Sequence, residues 1–182
     1  MQAEWKGLIA TAWMLAAPAA LGADPHVHGA AALEIAVDGN TLVVTLESPL
    51  DSLVGFERAP RSGAERERVR RAAGRLRDAA AMFRPTPEAG CLAEKVALAS
   101  PVIEPGLLGE PGKPAAAGHG EDGHAELAGE WRFACARPGL LKGMEVRLFD
   151  AFPGIRRLAV QVAGPRGQSG ATLTPKARML SW

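Results

Sequence analysis

Tyrosine is absent from this chain, and only 5 Phe and 4 Trp occur among its 182 residues, so any core must rest mainly on aliphatic packing. Cysteine is scarce too. Its 2 residues exclude both a disulfide-dense scaffold and a zinc site made of thiolates alone. Neither sign of charge dominates: 21 Lys and Arg nearly cancel 20 Asp and Glu, leaving +1, so the whole chain has no field that would draw it to nucleic acid. Catalytic signatures are missing as well. The sequence holds no Ser nucleophile elbow, no Gly-rich phosphate loop and no H-E-x-x-H helix, and nothing in it supports an enzyme.

What is present is a globular balance, 47% hydrophobic and 23% charged. Residues 1–23 read as a secretory signal peptide: Lys6 near the start, an apolar run from Gly7 to Leu21 interrupted by Pro18, then small residues. The run is shorter than the roughly 20 residues a membrane span needs. Cleavage after Gly22 or Ala23 leaves a mature chain with no second apolar stretch of that length, expected to be one exported, periplasmic domain over 24–182. Export changes the meaning of Cys91 and Cys135. Outside the cytoplasm oxidation is the default, so they are expected to form a disulfide, worth about 4 kcal/mol on the chain-entropy argument. A thiolate metal ligand or redox centre is the alternative, although no C-x-x-C is present.

The mature chain reads as α+β: a mostly antiparallel β domain, one long amphipathic helix packed on it, and a flexible loop containing histidine. Leu33, Ile35 and Val37 alternate, Asp38-Gly39-Asn40 turns, and Leu42, Val44 and Leu46 alternate again, which predicts a hairpin. Leu50 to Pro60 reads as an irregular connection, with Glu57 beside Arg58 as an ion-pairing loop residue. Ser62-Gly63-Ala64-Glu65 is a capping box opening a helix to about Phe83, with Val69, Ala73, Leu76, Ala80 and Phe83 as its apolar stripe. Between Arg58 and Arg84 the arginines far outnumber the acids Glu65, Glu67 and Asp78. That face is either simply solvated or a dock for an acidic partner or anionic lipid. Strands are expected at Cys91 to Ile103, Trp131 to Cys135, Met144 to Phe149, Leu158 to Val162 and Ala171 to Leu173, with a flexible loop over about 104–129 rich in Pro, Gly and Ala.

The chemistry lies in the 4 histidines. His26 and His28 flank one residue just before the first strand, and in an extended chain such positions point to the same side about 7 Å apart. His119 and His124 frame Glu121 and Asp122 inside the Gly-rich loop. Imidazole nitrogen with carboxylate oxygen suits Zn²⁺, and also Cu²⁺ or Ni²⁺. The square-planar chelate formed by an amino terminus with histidine in third place is excluded, because Pro25 has no amide proton to give up. The competing reading is that the histidines are incidental and that the protein is a non-metal interaction module docking through its arginine-rich helix.

Several stretches taken in order carry a resemblance: His26-Val-His-Gly29, then ALEIAVDGNTLVVTLESPLDSLVGFERAP, the Trp131–Cys135 strand, VRLFDAFPGIRRLAVQV and GQSGATLTP. Together they resemble the ZrgA-like family of zinc-regulated, histidine-rich periplasmic proteins of Gram-negative bacteria. The resemblance implies a zinc-binding accessory protein that assists a zinc ABC importer and its soluble binding protein. His26 and His28 match the family's opening His-x-His, His119 and His124 its histidine-rich loop, and Cys91 and Cys135 its cysteine pair. Two departures limit it. The loop here is reduced to GHGEDGH, and Arg58 stands where members often carry histidine after Gly-Phe-Glu, which favours a low-capacity or a degenerate site over bulk storage.

Overall fold

A computed structural model describes residues 28–111 and 125–182. The signal-peptide reading of residues 1–23, His26, and the loop residues His119, Glu121, Asp122 and His124 lie outside the described residues.

The architecture is mostly β with one long helix. Among the described residues, nine strands and five α-helices follow in the order β1 (Ala30–Asp38), β2 (Thr41–Pro49), α1 (Leu50–Val54), α2 (Gly63–Arg77), α3 (Ala79–Met82), β3 (Phe83–Pro85), β4 (Cys91–Ala99), α4 (Pro105–Leu108), β5 (Glu126–Cys135), β6 (Gly143–Val146), α5 (Leu148–Ala151), β7 (Arg157–Gly164), β8 (Gly167–Leu173) and β9 (Met179–Ser181). Six strands form one sheet in the order β4-β5-β2-β1-β7-β8, and β3-β6-β9 form a second, small sheet. All pairs are antiparallel except β1 with β7, which run parallel from Ala30 beside Arg157 to Ala36 beside Ala163.

Period-two patterning decides which face of the large sheet is covered. Leu33 and Ile35 of β1, Leu42, Val44 and Leu46 of β2, Trp131 and Phe133 of β5, and Leu158, Val160 and Val162 of β7 are all buried. The intervening Ala32, Glu34, Ala36, Ala159, Gln161 and Ala163 are exposed on the opposite face. Helix α2 lays Val69, Ala72, Ala73 and Leu76 onto the buried side. There the Trp131 indole N–H donates to the Leu76 carbonyl at 2.7 Å, and its ring meets Phe83 edge-on at 4.8 Å. With so few aromatics, this one pair joins helix, small sheet and large sheet.

The hairpin turns at Gly39-Asn40, with Gly39 at φ 55°, and every β1–β2 pair is set by that two-residue loop. The capping box is present: the Ser62 hydroxyl accepts from the Glu65 amide at 3.1 Å while the Glu65 carboxylate accepts from Ser62 N–H. Glu65 also takes a bidentate pair from Arg58, at 2.7 and 3.1 Å, and the Arg61 amide at 2.6 Å. Cys91 and Cys135 face each other across β4 and β5 and are joined by a disulfide.

Four expectations need correction. The helix does not continue to Phe83: it ends at Arg77, and Asp78 leaves helical geometry at ψ 79° to accept the Ala81 amide and start α3. This break rotates the stripe, so that Ala79 and Met82 are buried while Ala80 is exposed and Phe83 begins a strand. Leu50 to Pro60 is not wholly irregular, because Leu50–Val54 is helical. The stretch Met144 to Phe149 is split, its second half forming α5. Finally, the region 104–129 holds α4 and the start of β5, so a loop is compatible with the description only between Gly109 and Ala125.

The arginine-rich stretch is largely engaged by its own fold. Arg70 and Arg71 each approach Glu67 at 3.5 Å, Arg68 donates to the Val54 carbonyl, Arg75 to the Ala151 carbonyl, and Arg77 to the Leu108 carbonyl and Glu110.

Two outcomes follow. Trp131→Phe keeps the ring but orphans the Leu76 carbonyl, and is expected to lower unfolding stability by about 1–3 kcal/mol in a urea titration; an unchanged midpoint would contradict the tie. Glu65 is held down at about 2 by Arg58 and the Arg61 and Ser62 amides, against an ordinary 4.5. A carboxylate with a depressed folded value stabilises fully above its unfolded pKa and loses that contribution as pH falls toward the folded one. Glu65→Gln should therefore melt earlier than the parent at pH 7, with the difference closing between about pH 4.5 and pH 2.

Candidate metal centre

The turn at residues 39 and 40 fixes more than the hairpin. Asp38 pairs with Thr41 and Ala32 with Glu47, so paired positions always sum to 79, and the same register carried outward sets His28 opposite Asp51. The strands end at Ala30 and Pro49, but the opposition persists: His28 Nδ1–H donates to Asp51 Oδ2 at 2.6 Å. Asp51 sits in the first turn of α1. Gly55 closes that helix at φ 82°, its amide bonded to the Asp51 carbonyl at 2.8 Å, and this left-handed cap turns the chain back. Glu57 consequently returns to within 3.6 Å of His28 Nδ1. Among the described residues, His28, Asp51 and Glu57 form a cluster whose donor atoms all lie within 4.8 Å of one another.

Supporting contacts fix each member. Ser52, itself buried, donates to Asp51 Oδ1 at 3.2 Å, leaving Oδ2 for His28. Arg58, next to Glu57, is held by Glu65 and lies over the Phe56 ring at 5.3 Å, which ties down the loop carrying Glu57. Thus Glu57 is not the ion-pair partner of Arg58; Glu65 is, and the Glu57 carboxylate is left to face His28. On the other side, Arg156 donates to the His28 carbonyl at 3.0 Å, and the amides of Arg156 and Arg157 both bond to the Gly29 carbonyl. Gly29 has φ 81°, and a Cβ there would strike the Arg156 side chain. Gly154 is likewise pressed on the backbone of Ser52, where a Cβ would not fit. Small residues at 29 and 154 therefore allow three chain segments to close around the imidazole.

The donor set fits a divalent transition metal. Zinc–ligand bonds of about 2.0–2.1 Å in a tetrahedron put neighbouring donors about 3.3 Å apart. The His28–Glu57 separation of 3.6 Å is close to that, and the His28–Asp51 hydrogen bond would need to open by less than 1 Å. Two carboxylates supply negative charge, the imidazole supplies a borderline nitrogen, and the His28 side chain is 69% exposed, so an ion would reach the cluster from solvent without any opening of the fold. In the metal-free protein a proton takes the ion's place. The hydrogen bond and charge of Asp51, then the charge of Glu57, hold the His28 imidazolium above its ordinary 6.5, opposed by desolvation and Arg156.

Of the residues expected from sequence to bind metal, His28 is placed in a cluster, while His26, His119, Glu121, Asp122 and His124 lie outside the described residues. Asp51 and Glu57 are not among the residues expected from sequence, and the structure adds them to the cluster. The signal for Asp51 was available in the hairpin register; that for Glu57 depends on the left-handed cap at Gly55, which composition does not announce.

Proton NMR of the metal-free protein checks this geometry. His28 is expected to titrate above 6.5, Asp51→Asn to bring it down substantially, and Glu57→Gln to bring it down less; an imidazole at its ordinary value and indifferent to Asp51→Asn would mean the pair does not form.

A family model described as ZrgA family zinc uptake protein matches residues 25–182. The match covers most of the chain, and the chain belongs to this family. Its role is accordingly in zinc uptake, and the family is described as an uptake protein rather than as an enzyme. No curated protein matches the chain.

Proposed function

We propose that this member of the ZrgA family captures Zn²⁺ in the periplasm at His28, Asp51 and Glu57 and passes it to the soluble binding protein of a zinc ABC importer. The observation that carries the reading is the convergence of one imidazole and two carboxylates, from two chain segments remote in sequence, on a volume the size of one ion. His26 stands two residues before His28 in the sequence and is assigned the fourth ligand position. His119, His124, Glu121 and Asp122 are assigned a collecting role for the same ion. Zn²⁺ is the cargo expected from the family; the mixed nitrogen and oxygen donors would also accept Cu²⁺ or Ni²⁺.

A periplasmic setting is supported by the disulfide between Cys91 and Cys135, a bond that persists in oxidising compartments. Among the described residues no helix is long and apolar enough to cross a membrane. An oxygen-rich site open on one side suits capture followed by release. Carboxylates bind zinc less tightly than thiolates, and an exposed ion is accessible to a receiving protein's own ligands.

Isothermal titration with Zn²⁺ is the test. His28→Ala, Asp51→Asn and Glu57→Gln are each expected to weaken binding at least about tenfold, as losses around metal sites do. Ser52→Ala, which frees Asp51 to rotate, is expected to weaken it less. Affinity unchanged in the His28→Ala/Asp51→Asn double variant would remove the site.

A further inference from the structure

The two edges of the six-stranded sheet are treated differently, and the difference points to a partner. At one edge, β4 is closed to pairing. Its outward Leu98 amide donates to Glu110 at 2.7 Å, its outward Val96 carbonyl accepts from Arg77, and a bulge between Ala93 and Lys95 breaks its regularity. Arg77 and Glu110 are themselves an ion pair, so one salt bridge from α2 and the segment after α4 plugs the edge.

Strand β8 at the other edge has no such device. It joins β7 through a two-residue turn at Pro165-Arg166, with Gly164 opposite Gly167. In a hairpin of this kind the pair flanking the turn is hydrogen-bonded and pairs alternate from there. Ser169 and Ala171 therefore spend their backbone groups on β7, while Gln168, Gly170 and Thr172 direct theirs away from the sheet. Among the described residues, none of these outward groups has a hydrogen-bond partner. The strand carries no proline, no charge and no bulge along its length, GQSGATL, and all but Ala171 and Leu173 of it are exposed.

We propose that β8 is a self-association edge, pairing antiparallel with β8 of a second copy about a two-fold axis through Gly170. Such a pairing sets Gln168 of one copy opposite Thr172 of the other and Gly170 opposite Gly170, for about six backbone hydrogen bonds. Charge favours a second copy as the occupant. Within the paired stretch Gln168–Thr172 there is no ionisable side chain, so a strand paired with its own copy sets no like charges opposite one another; Arg166 and Lys176 lie outside it, in the turns at either end, and the small side chains on both faces allow close approach. The outer faces of the two sheets, lined by Gln161, Glu34 and several alanines, become one continuous surface. The edge shares no residue with the metal cluster, so association is independent of zinc.

Sedimentation velocity of the purified protein over a range from micromolar to millimolar should show a monomer–dimer equilibrium, unchanged by EDTA. Thr172→Pro deletes an outward donor in each copy without touching the β7 ladder, and is expected to weaken the dimer at least about tenfold with the far-UV circular dichroism retained. Gln168→Lys/Thr172→Lys sets ammonium groups against one another and should abolish it. Gly170→Cys provides a readout that does not depend on loss: opposed residues at a hydrogen-bonded position lie about 5.5 Å apart at Cα, within disulfide range, so mild oxidation should yield a covalent dimer. A monomer at every concentration, a dimer indifferent to both edge variants, or one dissolved by EDTA would each overturn the proposal.

Discussion

The parallel pairing of β1 with β7 is the constraint on which the arrangement of the functional end depends. A parallel partner cannot be reached by a tight turn, so everything from β2 to α5 is a long excursion between two adjacent strands. β1 is simultaneously antiparallel to β2. The start of β1, the end of β2 and the start of β7 must therefore lie side by side at one end of the sheet. Each contributes to the cluster from there: His28 ahead of β1, Asp51 after β2, and Arg156 ahead of β7. Nothing about three polar residues at the surface would hold them together by itself, since ion pairs open to solvent contribute little. The ladders hold them, and the side chains inherit their positions.

Arginine compensates for the shortage of aromatics. In many domains of this size, large rings wedge helices against loops. Here Arg68, Arg75, Arg77 and Arg156 reach from one element to a carbonyl on another, using a planar fork with several donors and an apolar stem. Arg58 does the same through Glu65 and steadies the segment carrying Glu57. The local excess of positive charge along Arg58–Arg84 is thus in large part a set of struts. Several of its guanidinium groups stay exposed, but their donors are directed at specific acceptors, which limits what the same face can offer to a partner.

How much of this was legible in the sequence differs by length scale. The β1–β2 hairpin followed from alternation and a Gly-containing turn, and the start of α2 from its capping box, because both signals are local. The end of α2 was misread for an instructive reason: Ala80 and Phe83 extend the helical spacing, yet Asp78 prefers to cap a new turn, and the competing cap wins where alanines on either side exert little packing preference. The three-residue strands β3 and β9 carry no periodicity at all and exist only because β6 offers them a ladder. The site falls between these cases. His28 stood out by composition, Asp51 was implied by an arithmetic of register that a correct hairpin already contains, and Glu57 is placed by a helix cap and an ion pair in tertiary contact.

The construction of the cluster also bears on what an ion would encounter. A site that must both take up and surrender zinc is better served by donors held near, but not at, ligating distance. The His28–Asp51 hydrogen bond keeps the imidazole oriented while no ion is bound, and Ser52 keeps the second oxygen of Asp51 occupied. An arriving ion would exchange with a proton and would shift these groups only slightly, so little reorganisation would oppose entry. Exit is equally unobstructed, because the imidazole stands mostly in solvent. The rigid part of the design is the backbone at Gly29 and Gly154, where a side chain would force the segments apart. Tightness of closure is delegated to the scaffold, and lability to the ligands.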